Sequence, residues 1–183
     1  MEIKNKFGMR VVEVNDKNIA PLIASIGRSS FTDKFSQYNS LNDVNDYTAK
    51  YFNDHIISDE IESPDSKFFL GTISGIGAGF LKLRRNNFKY IAEKDSIELQ
   101  RIYVLSNYHG SGLAHVLMKK AFGYCIENGF KTLWLGTWEN NARAVAFYKK
   151  FGFIEFGEHI FNIGAASQRD ILMRLIISST SVS

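Results

Sequence analysis

The apolar positions change period several times along the chain, and each change predicts an element. Val11, Val12 and Val14 predict a first strand over about residues 9–14. Asn15-Asp16 then offers an N-cap, and Ile19, Leu22, Ile23 and Ile26 recur at helical spacing. Pro21 fits only in the first turn of that helix. Residues 29–63 read as further helix, interrupted near Asn39-Ser40 and ended by Ser63-Pro64-Asp65. The texture then turns to short apolar runs. Phe68–Ile73 and Ala78–Leu83 predict an antiparallel hairpin about the Ser74-Gly75-Ile76-Gly77 turn, followed by a polar, basic loop at 84–89.

A longer strand is predicted at Ser96–Val104. Apolar positions 113, 116, 117, 121 and 124 predict a helix that closes at Asn128-Gly129. Thr132–Gly136 reads as a buried strand and Ala142–Phe151 as a helix stopped by Gly152, with closing strands at Phe153–Gly157 and Asp170–Ile177. The strand–helix–strand unit at 96–136 implies a parallel pair with a right-handed crossover. The expected fold is α/β (α+β): a single domain over 1–183, with a mixed sheet of about six to seven strands flanked by helices.

Composition narrows the function classes. A chain of 183 residues suffices for one full core. Its net charge of +3 is too mild to argue for nucleic acid. The single cysteine, Cys125, excludes an internal disulfide and lies on an apolar helix face, where a buried thiol is expected. No His/Cys cluster has metal-ligand spacing, so no metal is expected. The first ten residues lack a secretory h-region, and no apolar run is long enough to span a membrane, so a cytoplasmic protein without membrane partners is expected.

The chemistry is concentrated in NYHGSGLAHVLM, residues 107–118. A turn with Gly110, Ser111 and Gly112 follows a strand and opens a helix. Such a turn points backbone N–H groups at one spot, and the helix dipole adds partial positive charge there. Small residues let the backbone approach the ligand, most naturally a phosphate or pyrophosphate. No Gly-Lys-Ser/Thr follows, so this is not a Walker loop. On these residues alone the turn is equally a plain connection.

With LQRIYVLSNYHGSGLAHVLM followed by LGTWENNARAVAFYKKFGF, the sequence resembles the GNAT superfamily of acetyl-CoA-dependent N-acetyltransferases. The family pattern Arg/Gln-x-x-Gly-x-Gly/Ala falls on His109 to Ala114. Gly112 and Ala114 match it, and His109 departs from it. Asn141, Tyr148 and Gly152-Phe153 fit the downstream spacing. A broader resemblance, to PaiA-type acetyltransferases similar to polyamine N-acetyltransferases, spans nearly the whole chain.

The resemblance implies acetyl-CoA as cosubstrate, an acetyl-CoA-binding core over about 96–156 and an acceptor side over about 16–63. It implies that Ile102, Tyr103 and Val104 hold the pantetheine arm through their backbone, and that His109, Gly110, Ser111, Gly112, Leu113 and Ala114 cradle the pyrophosphate. Asn141 would stand near the pantetheine or the thioester, though Asn is also a good helix cap. Lys150 could meet a phosphate or simply complement the helix dipole.

Acetyl transfer to an amine needs a neutral nucleophile, an oxyanion donor and a proton for the leaving thiolate. Tyr148 is the candidate acid, against a reading as a core tyrosine with its hydroxyl at the rim. Glu98 is the candidate base, against a salt-bridged strand glutamate. His109 is read as phosphate-proximal or exposed, Trp134 as core and Trp138 as lining the mouth. Asp54, Asp59, Glu60, Glu62 and Asp65 would give a polycation such as spermidine an acidic wall, or form a solvated helix face. The LKLRRNNFK segment, 81–89, reads as a charged hairpin end without the aromatic platform nucleic acid would need.

The expected function is therefore direct acetyl transfer in a ternary complex to a primary amine, a polyamine first. The alternatives are a protein N-terminus or lysine as acceptor, or a CoA-binding sensor without turnover. A homodimer is one candidate assembly.

Overall fold

The computed structural model describes residues 8–85, 95–163 and 166–177, with side chains described outside 161–166. The strands are β1 (Met9–Val14), β2 (Ser66–Ile73), β3 (Ile76–Arg84), β4 (Ser96–Val104), β5 (Thr132–Trp138), β6 (Ile154–Ile163) and β7 (Ala166–Ile176). The helices are α1 (Ala20–Phe35), α2 (Leu41–Tyr51), α3 (Asp54–Glu62), α4 (Leu113–Glu127) and α5 (Ala142–Lys150). One seven-stranded sheet runs β1-β2-β3-β4-β5-β7-β6 and is antiparallel except for β4–β5.

The sequence pattern places every strand, merges α2 with α3 and misses some boundaries. The region at 29–63 breaks twice. Ser40 caps α2 by accepting from the Asp43 N–H, and Asn53 caps α3 by accepting from the Ile56 N–H. The closing strands are longer than expected because they form a hairpin, in which each lends the other its backbone partners beyond the apolar run. Arg84 belongs to β3, and the rest of the expected loop at 86–89 lies outside the described residues. Lys82 is no charged hairpin end: it is 1% exposed, inside β3.

Two cores lie on opposite faces of the sheet. The α4 face holds Leu81, Leu83, Leu117, Met118, Leu133, Leu135 and Met173 among others. The α1–α3 face holds Ile23, Phe31, Val44, Phe52, Phe68 and Phe80. Cys125 is fully buried on the first, and burial pushes its thiol up to about 12, so it stays protonated and inert.

Strand β4 takes part in both faces through a bulge. Lys82 of β3 pairs with Arg101 but Leu83 pairs with Leu99, which leaves Gln100 extra. Before the bulge, Ile97 and Leu99 face α4 and Glu98 faces away. After it, Ile102 and Val104 face α4, while Arg101 and Tyr103 turn to the α1–α3 side.

A candidate acetyl-transfer site between splayed strands

β4 and β5 pair in parallel only from Ser96↔Thr132 to Glu98↔Trp134. Beyond that point β4 runs on to Val104 and β5 to Trp138 without pairing. The opening leads into a cleft of about 380 Å³ under α1 and α2. Its lining includes Glu98, Ile102, Tyr103, Asn141 and Tyr148, of the residues expected from the sequence.

The glycine turn stands at one end of this opening. Gly110 and Gly112 have φ of 82° and 90°, in the left-handed region that side chains disfavour. A Cβ built on either meets nothing within 4 Å, so the space before them is open. Asn141 caps α5 with its side chain, as Ser40 and Asn53 cap their helices, but α4 begins at Gly112 with no side-chain cap on that residue. Ser111 Oγ accepts from the Leu113 N–H at 3.2 Å, while the N–H groups of Gly110, Gly112 and Ala114 find no partner among the described residues. Unpaired donors at a helix start form a ready anion site.

His109 is exposed, one of the two positions expected for it, and its ring is engaged. Its Nε2 donates to the Val104 carbonyl at 2.9 Å, which leaves Nδ1 to accept from Arg143 Nη1 at 3.1 Å. The ring thus ties the end of β4 to the start of α5. Arg143, which sequence reasoning passed over, is thereby brought beside the turn. Its position two residues after Asn141 was the available signal. Lys150 is exposed on the last turn of α5 and does not line the cleft. Leu113 is buried, its side chain packed over Gly71.

Tyr148 reaches the cleft from the α4–α5 side. It is 7% exposed, and its ring packs edge-on to Phe147 and against Phe153. Burial raises its phenol above the ordinary range, so it is fully protonated at neutral pH, and no hydrogen bond among the described residues takes its hydroxyl. This state suits a proton donor and excludes a base.

Glu98 also lines the cleft, but Arg84 holds it: Nε and Nη2 both donate to Glu98 Oε2, at 2.9 and 2.7 Å. The acidic helix does not wall the cleft. None of Asp54, Asp59, Glu60, Glu62 or Asp65 is in the lining. Glu60 instead pairs with Lys82 at 2.7 Å and Arg101 at 2.6 Å, and Glu62 pairs with Lys17. The cleft wall beneath α1 and α2 is aromatic. Phe31, Phe35, Tyr47, Tyr51 and Trp138 line it, with Trp138 edge-on to Tyr38 and Lys34 Nζ above its ring at 5.8 Å. Trp134 is buried, as expected, yet borders the cleft as well.

Residues 30–153 match the acetyltransferase (GNAT) family. An uncharacterised N-acetyltransferase of Lactobacillus delbrueckii subsp. lactis is 33% identical over 172 residues, covering 91% of this chain and 96% of that protein. The PaiA N-acetyltransferase of Thermoplasma acidophilum, solved with coenzyme A, superposes with a TM-score of 0.73 at 16% identity, over 92% of this chain and 98% of that one. The ribosomal-protein-S18-alanine N-acetyltransferase of Escherichia coli superposes at 0.64 with 20% identity, over 93% and 94%. The two superpositions establish the fold; the family pattern and the Lactobacillus relative establish the kinship. The chain belongs to the GNAT family of acetyltransferases, and acetyl-CoA is its cosubstrate.

Proposed function

We propose that this enzyme transfers acetyl to the primary amine of a small molecule that enters beneath α1 and α2, and that it does so directly, with both substrates bound. The observation that carries the reading is Tyr148: a protonated, unpartnered hydroxyl facing the gap between β4 and β5. In this reading the pantetheine arm lies along Ile102, Tyr103 and Val104. The pyrophosphate takes the free N–H groups of the turn at 109–114, with Arg143 and Lys150 supplying charge. Asn141 orders the start of α5 beside the thioester, and Tyr148 gives its proton to the leaving sulfur. The expected setting is the cytoplasm.

A di- or polyamine such as spermidine is the first acceptor to try. The five rings suit its methylene chain and can stabilise an ammonium through their faces. This support is aromatic rather than acidic, and Lys34 opposes a highly charged acceptor. A monoamine with an apolar body therefore belongs in the same test. The test is thiol release from acetyl-CoA with spermidine, spermine, simple alkyl- and arylalkylamines, and peptides with free N-termini or lysines. Turnover with small amines but not peptides is the expected result. Turnover with peptides alone would reassign the acceptor, and tight CoA binding without any turnover would make the chain a sensor.

A further inference from the structure

Three strands bring Trp138, Asp170 and His159 into one cross-strand row. Asp170 of β7 is registered with Trp138 of β5 on one side and with His159 of β6 on the other. Directly paired residues share a face of a sheet, and here it is the cleft face, because all three line the cleft. Next along β5 on that face is Gly136, whose missing side chain leaves room beside the row: a Cβ there would stand 3.6 Å from Asp170 Oδ2 and 3.7 Å from His159 Cε1.

Asp170 is half-buried, and among the described residues no hydrogen bond or ion pair engages its carboxylate. A buried carboxylate without a partner costs stability, so its place in a ligand cleft calls for a ligand. The groups that face it are His159 from β6 and, through space, the phenols of Tyr47 from α2 and Tyr103 from β4. Lys34 on α1 and Arg101 and Glu98 on β4 line the same cleft. Arg101 is held by Glu60, and Glu98 is held by Arg84.

We propose that Asp170, rather than Glu98, is the general base: it receives the acceptor nitrogen and takes the proton that nitrogen sheds. The proposal rests on the amine-acetylation reading above. The neutral amine attacks the thioester carbonyl and the C–N bond forms. The nitrogen loses a proton to an Asp170 carboxylate oxygen. The C–S bond breaks with its electron pair going to sulfur, which takes the phenolic proton of Tyr148. The proton on Asp170 then returns to the Tyr148 phenolate through solvent, so amine and acetyl-CoA become amide and free thiol with both side chains restored. Desolvation raises the Asp170 carboxyl to about 6, which keeps it ionised at neutral pH yet far more basic than a surface aspartate.

The test compares wild type, Asp170→Asn, Asp170→Ala and Glu98→Gln as full chains, with acetyl-CoA and the fastest small amine, from pH 5 to 8. Asp170→Asn should lower kcat/KM about 10²–10⁴-fold and leave CoA affinity unchanged by calorimetry. In wild type the slope of log kcat/KM against pH should lessen near pH 6; the variant should lose that break. Formate should restore part of the activity of Asp170→Ala, a rescue that a merely structural role would not show. Asp170→Asn within about threefold of wild type, or loss of the break in Glu98→Gln instead, overturns the assignment while leaving acetylation standing. A wild type inactive on every amine removes the acetylation reading, and the base with it.

Discussion

The two faces of the sheet are built under different rules. The α4 face is apolar, and the glycine turn beside it leaves the Gly110, Gly112 and Ala114 N–H groups without a partner among the described residues. The α1–α3 face is aromatic and carries buried charge, and α1, α2, β4, β5 and β7 all supply side chains to its cleft. A turn of fixed chemistry suits a ligand that never changes. A wall assembled from five elements can vary one side chain at a time, which suits a variable acceptor. The cost falls on the second face, where Lys82 (1% exposed) and Arg101 (8%) depend on one glutamate. Burial is the main cause of a Lys82 pKa lowered to about 8, with the nearby Arg101 charge adding to it and Glu60 opposing it.

That dependence gives the largest expected effect. Glu60→Gln strands two buried cations and should cost about 3–5 kcal/mol, read as a steep fall in urea midpoint. A loss below about 1 kcal/mol would show that the α1–α3 face does not rest on this cluster. On the other face, Tyr148→Phe should lower kcat about 10²-fold or more with CoA affinity kept; full activity would remove the acid. Gly112→Val strains a φ of 90° and fills the open space before the turn. CoA affinity should fall about 10²-fold, the worth of one or two charged-acceptor hydrogen bonds, and unaltered binding would sever the turn from the cosubstrate. Trp138→Ala should raise the acceptor KM about tenfold, in keeping with about 1–2 kcal/mol for a stacked ring contact, and leave the acetyl-CoA KM alone.

The smallest effect concerns stability and pH. A folded-state pKa of about 6 at Asp170, above its ordinary 3.8, means that ionising this group opposes folding. The penalty is absent below pH 4, grows between 4 and 6, and is full above 6. Asp170→Asn should therefore raise the melting temperature by a few degrees at pH 7, and the difference should close below pH 4. A variant that melts lower at pH 7 would mean that the carboxylate has a stabilising partner.

The sequence is legible where geometry is local. The turn at 109–114 and the run from Asn141 to Tyr148 keep their geometry within a few residues, so the motif and the resemblance it carries are read from one short stretch. The sequence is not legible where geometry depends on neighbours brought together by topology. Asp170 stands in a strand where alternation makes it look solvated. Only the insertion of β7 between β5 and β6, and the splaying of β4 from β5, turn it into the cleft. Glu60 and Lys82 likewise read as surface charges, because nothing local says that Glu60 of α3 reaches Lys82 of β3 and Arg101 of β4. His109, expected to be phosphate-proximal or exposed, is exposed, and its bond to the Val104 carbonyl is one that no local pattern announces.

The bulge at Gln100 acts as a parity switch. Counting along β4, odd residues belong to the α4 side before it and to the cleft after it. Pairing Gln100 regularly, with the bulge ironed out, would restore a single parity, sending Arg101 and Tyr103 to the α4 side and Ile102 and Val104 to the α1–α3 side. Composition and sheet order would survive, yet from that point on β4 would show each face the side chains meant for the other. One unpaired residue thus keeps the two chemistries of this strand from being exchanged.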